Sequence, residues 1–206
     1  MLTEHLYLIL NELTAYSAIE LAAVLLAVAY LILAARNSRW CWFAAFISSG
    51  LFVYVLWHAK LYMDAGLNSY YVVMAVYGWI IWSKRSDLPD SAGATISSLP
   101  LKVHAFAITW LLALSATSGF LLTQYTEAAF PYLDSITTWG SLFATWLLAQ
   151  RKLENWIYWI VLDALGVYLY FQKGLHFTML LFVLYVIVSV YALTHWHRLS
   201  QHGQHV

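Results

Sequence analysis

The sequence predicts an all-α integral membrane protein. Seven transmembrane helices are arranged as two three-helix halves joined by a linking helix, a 3+1+3 parallel pseudo-repeat. Three observations carry that expectation. The chain has 206 residues, of which 63% are hydrophobic and 10% charged, a balance that water-soluble domains of this size do not have. The apolar residues fall into seven runs of about 20, the length that crosses a hydrocarbon core of roughly 30 Å. Aromatic and basic residues also recur in the same order early and late in the chain.

The elements follow in order. Residues 1–14, MLTEHLYLILNELT, are short and acidic. They lack the basic start and small-residue cleavage site of a signal peptide and read as an interfacial segment. The first half, 15–83, holds predicted helices at 15–35, 40–58 and 64–83. The stretch 84–101, KRSDLPDSAGATISSLPL, is the one long polar connection and reads as a cytoplasmic linker. A linking helix follows at 102–123. The second half, 124–196, holds helices at 133–150, 154–172 and 176–196, and 197–206 is a tail. Pro89, Pro100 and Pro131 all fall in predicted loops, so the broken helices common in ion-coupled transporters are not signalled.

Orientation follows from the basic residues. With the N-terminus outside, the inner connections hold Arg36, Arg39, Lys84, Arg85, Lys102, Arg151, Lys152 and Arg198. The outer ones hold Lys60 and Lys173. The expectation is N-terminus outside and C-terminus inside.

The repeat rests on spacing. Tyr71, Tyr77 and Trp82 of the third run match Tyr185, Tyr191 and Trp196 of the seventh. Trp40 opens the second run after a basic turn, as Trp156 opens the sixth. Lys60 and Lys173 take similar outer turns. An odd number of helices per half, with one between, inserts both halves in the same direction, as in transporters of the SWEET type.

A charge in the bilayer core costs about 2.5–3.5 kcal/mol on insertion scales, so such a residue faces protein or a cavity. Glu20 and Asp163 are the acids in question, and Asn68 is a buried amide candidate. No Lys or Arg stands at their depth, so their partner is a proton or a cation from solution. Helical phase puts Trp156, Trp159, Asp163, Gly166 and Tyr170 on one face. It puts Asp64, Asn68, Tyr71, Ala75, Gly78 and Trp82 on another, and Thr138, Ser141 and Thr145 on a third. Lipid-facing stripes would be Leu, Val and Ile; part of these stripes is close helix packing through small residues. Aromatic faces beside a buried acid suit a flat heteroaromatic cation, held by cation–π attraction and a counter-charge.

Other classes fit less well. A retinal protein needs a Lys in the last helix, and the run from Thr178 to Ala192 has none. A haem protein needs mid-membrane histidines, whereas His58, His104 and His176 fall at predicted helix ends. The single cysteine, Cys41, excludes a disulfide framework, and zero net charge gives no sign of nucleic acid. No nucleophile–base set, metal site or cofactor site is found, so the chain is not expected to be an enzyme. A structural membrane protein is the alternative of a different class, but it would need neither Glu20 nor Asp163.

Two stretches, NSYYVVMAVYGWIIW (68–82) and LENWIYWIVLDALGVYLYFQKGL (153–175), resemble the Pnu family of bacterial vitamin transporters. The resemblance extends from about Glu20 to Trp196. It implies the three-plus-one-plus-three fold and facilitated diffusion of an unphosphorylated B vitamin across the cytoplasmic membrane. A cytosolic kinase would then trap the vitamin. It implies substrate contacts at Asn68, Tyr71, Trp156, Trp159 and Asp163, and it hints at a homotrimer. To these the burial and phase arguments add Glu20, Thr138 and Ser141, with Tyr77 and Trp82 as gating candidates. Members that carry nicotinamide riboside have Gln where this chain has Asn68, two residues before the paired aromatics Tyr70 and Tyr71. The Asn resembles the thiamine-carrying branch, so the expectation is thiamine, with nicotinamide riboside as the alternative and riboflavin a third family substrate.

Overall fold

Backbone polar groups in a bilayer must be satisfied within the protein, which leaves the helix as the natural state of long apolar segments. The computed structural model describes residues 18–60, 62–86, 96–126 and 129–202. These form α1 (Ala18–Ala35), α2 (Trp40–His58), α3 (Tyr62–Ser86), α4 (Leu101–Tyr125), α5 (Pro131–Ala149), α6 (Asn155–Gln172) and α7 (His176–His202). The seven expected helices are all present. The expected interfacial segment at 1–14 lies outside the described residues. α7 continues through the polar residues expected to form a tail, because a helix needs no lipid once begun.

Four helices, α1, α2, α4 and α7, are long and apolar enough to cross a membrane. The other three, α3, α5 and α6, carry Asn68, Thr138, Ser141 and Asp163. Helix α2 packs against α1 and α3, and α6 packs against α5 and α7. The two sets meet where α1 lies along α7 and where α3 lies along α5. Helix α4 packs on α5, pinned by the Trp139 indole N–H donating to Ser118 Oγ at 3.1 Å.

Two turns are built alike. After α1, Asn37 takes φ 54° and after α5, Arg151 takes φ 54°. Asn37 N donates to Ala34 O and Ser38 N to Leu33 O, both at 2.9 Å. Arg151 N donates to Leu148 O and Lys152 N to Leu147 O, again at 2.9 Å. Both are Schellman ends, which use a left-handed residue to satisfy the last carbonyls. The α2–α3 and α6–α7 turns likewise carry positive φ at Lys60 (61°) and Gly174 (71°). In each pair of turns the positive-φ residues stand 114 positions apart, and this spacing serves as the register between the two sets. This register pairs Trp82 with Trp196 as the sequence suggested. It corrects the match for Trp156, whose counterpart is the buried Trp42, while Trp40 is 54% exposed.

Those four tryptophans form the core at the basic end of the bundle. Trp42 meets Trp82 edge-on at 5.5 Å, Trp156 meets Trp196 edge-on at 5.5 Å, and Trp82 and Trp196 lie 6.2 Å apart. Each set grips the other through an indole. Trp82 Nε1 donates to Ala149 O at 3.0 Å. Trp196 Nε1 donates to Ala35 O at 3.1 Å and Ala34 O at 3.2 Å. The Arg151 guanidinium sits 4.3 Å from the Trp82 ring. Gly78 is required here: a Cβ would enter the Trp42 ring.

The described end of the linker is docked rather than free. Ser97 N donates to Arg151 O at 3.1 Å and Leu153 N to Ser97 O at 3.0 Å, a single parallel bridge to the α5–α6 turn.

Candidate functional site

Asp163 is the natural starting point. It lies midway along α6 and is 4% exposed. The Ser189 hydroxyl of α7, fully buried, donates to Asp163 Oδ2 at 3.5 Å. That is a long bond to one of two carboxylate oxygens, and an ionised carboxylate can accept about four. Three tyrosines from three further positions lie close enough to feel its charge: Tyr30 of α1, Tyr71 of α3 and Tyr185 of α7. The Tyr71 hydroxyl lies near Ser141 of α5. Residues of α1, α3 and α7 therefore stand near the α6 carboxylate, with Ser141 of α5 beyond Tyr71.

Of the residues expected from the sequence, the structure brings Asp163, Tyr71 and Ser141 together. Trp159 is half-buried one turn before Asp163 and packs against the tryptophan core. Asn68 and Thr138 lie about one turn further from that core than Tyr71 and Ser141. Asn68 Nδ2 donates to Asp64 O at 2.9 Å, and Thr138 Oγ1 to Asp134 O at 2.7 Å. Trp156 is fully buried within the core, edge-on to Trp196. Gly166 and Gly78, on the same expected stripes, serve packing: a Cβ at Gly166 would enter the Phe182 ring.

Glu20 is not brought to the carboxylate. It stands in the first turn of α1. Tyr30, the α1 residue that faces Asp163, lies ten residues on, about 15 Å along the helix. The register instead places Glu20 as the counterpart of Asp134, at the end of the bundle away from the tryptophans. There Lys173 Nζ sits 3.6 Å from Asp134 Oδ1. The gating candidates separate. Trp82 is fully buried in the core, whereas Tyr77 is 37% exposed and its hydroxyl accepts from Gln150 Nε2 at 2.6 Å.

Sequence reasoning did not single out Tyr30, Tyr185 and Ser189, which the structure places near Asp163. Tyr185 was within reach, because it is the repeat counterpart of Tyr71, and Ser189 follows it by one turn. Tyr30 sits in an apolar run and gives no such signal. Among the described residues, no three His, Cys, Asp or Glu side chains converge as a metal site requires.

The model of the nicotinamide mononucleotide transporter family matches residues 17–198. The chain belongs to that family. Similar proteins include the nicotinamide riboside transporter PnuC of Neisseria mucosa, 31% identical over 166 residues, covering 74% of this chain and 62% of that protein. The riboflavin/roseoflavin transporter RibM of Streptomyces davaonensis is 24% identical over 162 residues, covering 78% of this chain and 76% of that protein. PnuC of Escherichia coli is 20% identical over 182 residues. A crystal structure of the vitamin B3 transporter PnuC shares the fold, with a TM-score of 0.73 at 23% identity over 97% of this chain and 91% of that one. The resemblance read from the two aromatic stretches is thereby established: this is a membrane protein of the Pnu-type vitamin transporters. None of these relatives is named for thiamine, so the expectation of thiamine finds no support, and nicotinamide riboside fits them better.

Proposed function

We propose that this protein carries nicotinamide riboside across the cytoplasmic membrane of a bacterium, with the Asp163 cluster as the substrate site. The observation that carries the reading is a buried mid-membrane carboxylate whose partner among the described residues is one hydroxyl at 3.5 Å, with Tyr30, Tyr71 and Tyr185 near enough to feel its charge. The nicotinamide ring of that substrate is flat and positively charged. Asp163 supplies the counter-charge, and cation–π attraction to the Trp159 or Tyr71 ring adds roughly 2 kcal/mol when desolvated. Asn68, Thr138 and Ser141 contact the ribose hydroxyls from the outer side. Trp156 acts from behind, by holding Trp159 and the start of α6 in place. Glu20 sits too far from Asp163 for direct contact and serves the outer mouth.

The 3+1+3 arrangement is part of the proposal. The shared n + 114 register, the twin Schellman turns and the reciprocal indole bonds support two parallel halves related by an axis along the membrane normal. The basic residues support N-terminus outside and C-terminus inside, which makes the tryptophan core the inner closure. Its two halves must part there for substrate to leave, with Trp82 at the seam and Tyr77 beside it. Trp42 and Trp156 carry buried indole N–H groups without an acceptor. Unbroken helices support facilitated diffusion, with phosphorylation by a cytosolic kinase to retain the vitamin. The family resemblance supports a homotrimer as the assembly.

The test is uptake into proteoliposomes of labelled nicotinamide riboside, thiamine and riboflavin. Nicotinamide riboside should equilibrate without a gradient and accumulate only when a kinase and ATP are enclosed. Accumulation driven by a proton or sodium gradient alone would overturn facilitated diffusion.

A further inference from the structure

A groove of about 610 Å³ opens between α4, α5 and α6, away from the Asp163 cluster. That is the size of a small-molecule site, roughly 300–1,000 Å³. Ile108 and Leu112 of α4 form one wall, Val161 and Leu165 of α6 the other, and Ile136 and Gly140 of α5 the floor. The groove ends, at the basic end of the bundle, on polar side chains. Leu99 N donates to Glu154 Oε1 at 3.0 Å, and His104 Nδ1 is hydrogen-bonded to the Tyr158 hydroxyl at 2.9 Å. His104 Nε2 lies 3.9 Å from Glu154 Oε1. Glu154 Oε2 and His104 Nε2 are buried and have no hydrogen-bond partner among the described residues.

An apolar channel that ends on an unmet carboxylate oxygen matches one kind of molecule: a hydrocarbon tail bearing an ammonium. The groove lies between helices of a bilayer protein, so a membrane lipid is the molecule at hand. We propose that it holds a phosphatidylethanolamine, an acyl chain along the groove and the primary ammonium on Glu154. Lys102, exposed in the first turn of α4, stands at the same end for the phosphate. A phosphatidylglycerol offers no ammonium and meets the carboxylate bare.

The experiment is native mass spectrometry of the purified full chain, delipidated and offered phosphatidylethanolamine and phosphatidylglycerol of matched chains. The wild type should retain phosphatidylethanolamine preferentially. Glu154→Gln keeps the acceptor for Leu99 N–H and removes the charge; it should cut that preference by about fivefold, the scale of a partly exposed ion pair. Ile108→Trp, at an exposed wall position, should reduce retention of both lipids. Equal retention of the two lipids by the wild type, or an unchanged preference in Glu154→Gln, would overturn the proposal. So would disulfide-linked oligomers formed through Ile108→Cys, which would put a second copy in the groove. The readout is bound lipid, so it stands apart from any transport result.

Discussion

A carboxylate in the middle of a membrane helix must be met by a hydrogen bond, a proton or a cation, and among the described residues Asp163 has only Ser189 at 3.5 Å. Replacing it with Asn keeps shape and hydrogen bonding but removes the counter-charge. Asp163→Asn should weaken nicotinamide riboside binding by about ten- to a hundredfold, the range for losing a hydrogen-bonded charge contact. Titration calorimetry checks this. Glu20→Gln should leave that affinity unchanged, because Glu20 lies about 15 Å along α1 from the site. Trp196→Phe keeps a ring in the core but strips the donor from Ala34 and Ala35. It should lower stability by about 1 kcal/mol, read as a lower midpoint in thermal unfolding of the detergent-solubilised protein. At this scale helical phase marked Asp163, Tyr71 and Ser141 as candidates, and the structure sets Tyr71 near both of the others. Trp156 was harder to read, because a tryptophan one helical turn from another looks the same whether it faces a ligand or a core. Only the neighbours on α7 decide that, and spacing along α6 does not contain them.

Helices were legible because the bilayer leaves few alternatives: length and apolar composition fix them, and the observed ends fall close to the expected ones. Which face each helix turns inward was half legible. The stripe on α3 mixes a site residue, Tyr71, with packing residues, Gly78 and Trp82, and periodicity alone cannot separate them. The glycines offer a paired test. Gly78→Ala drives a methyl into the Trp42 ring and should cost about 1–3 kcal/mol, as overpacking does. Gly50→Ala on α2 meets nothing within 4 Å and should be neutral or stabilising by up to about 1 kcal/mol, since Ala is the better helix former. Thermal unfolding of the two variants side by side checks both. The linker docking was invisible in sequence, because the bridge from Ser97 to the α5–α6 turn is a backbone pairing, and the side chains that add to it, Lys152 on Ser97 Oγ and Glu154 on Leu99 N–H, form no pattern that marks them.

At the scale of the molecule, two sets of three helices share a register and grip one another by reciprocal indole bonds. The sequence pointed to a repeat through Tyr71, Tyr77 and Trp82 and the residues at the same spacing in α7. Its exact register was not, because Trp40 and Trp42 are both plausible partners for Trp156 until burial distinguishes them. Substrate choice was the least legible property. It rested on Asn68, whose side chain bonds its own helix at Asp64 O, so one amide in place of another is a weak guide to the vitamin carried. The central claim is that the Asp163 cluster binds a cationic nicotinamide ring. Titration calorimetry of the purified protein with nicotinamide riboside, thiamine and riboflavin tests it most directly. The account predicts saturable heat with nicotinamide riboside that is lost or strongly weakened in Asp163→Asn. No saturable binding of any of the three, or nicotinamide riboside binding unchanged in that variant, would contradict it.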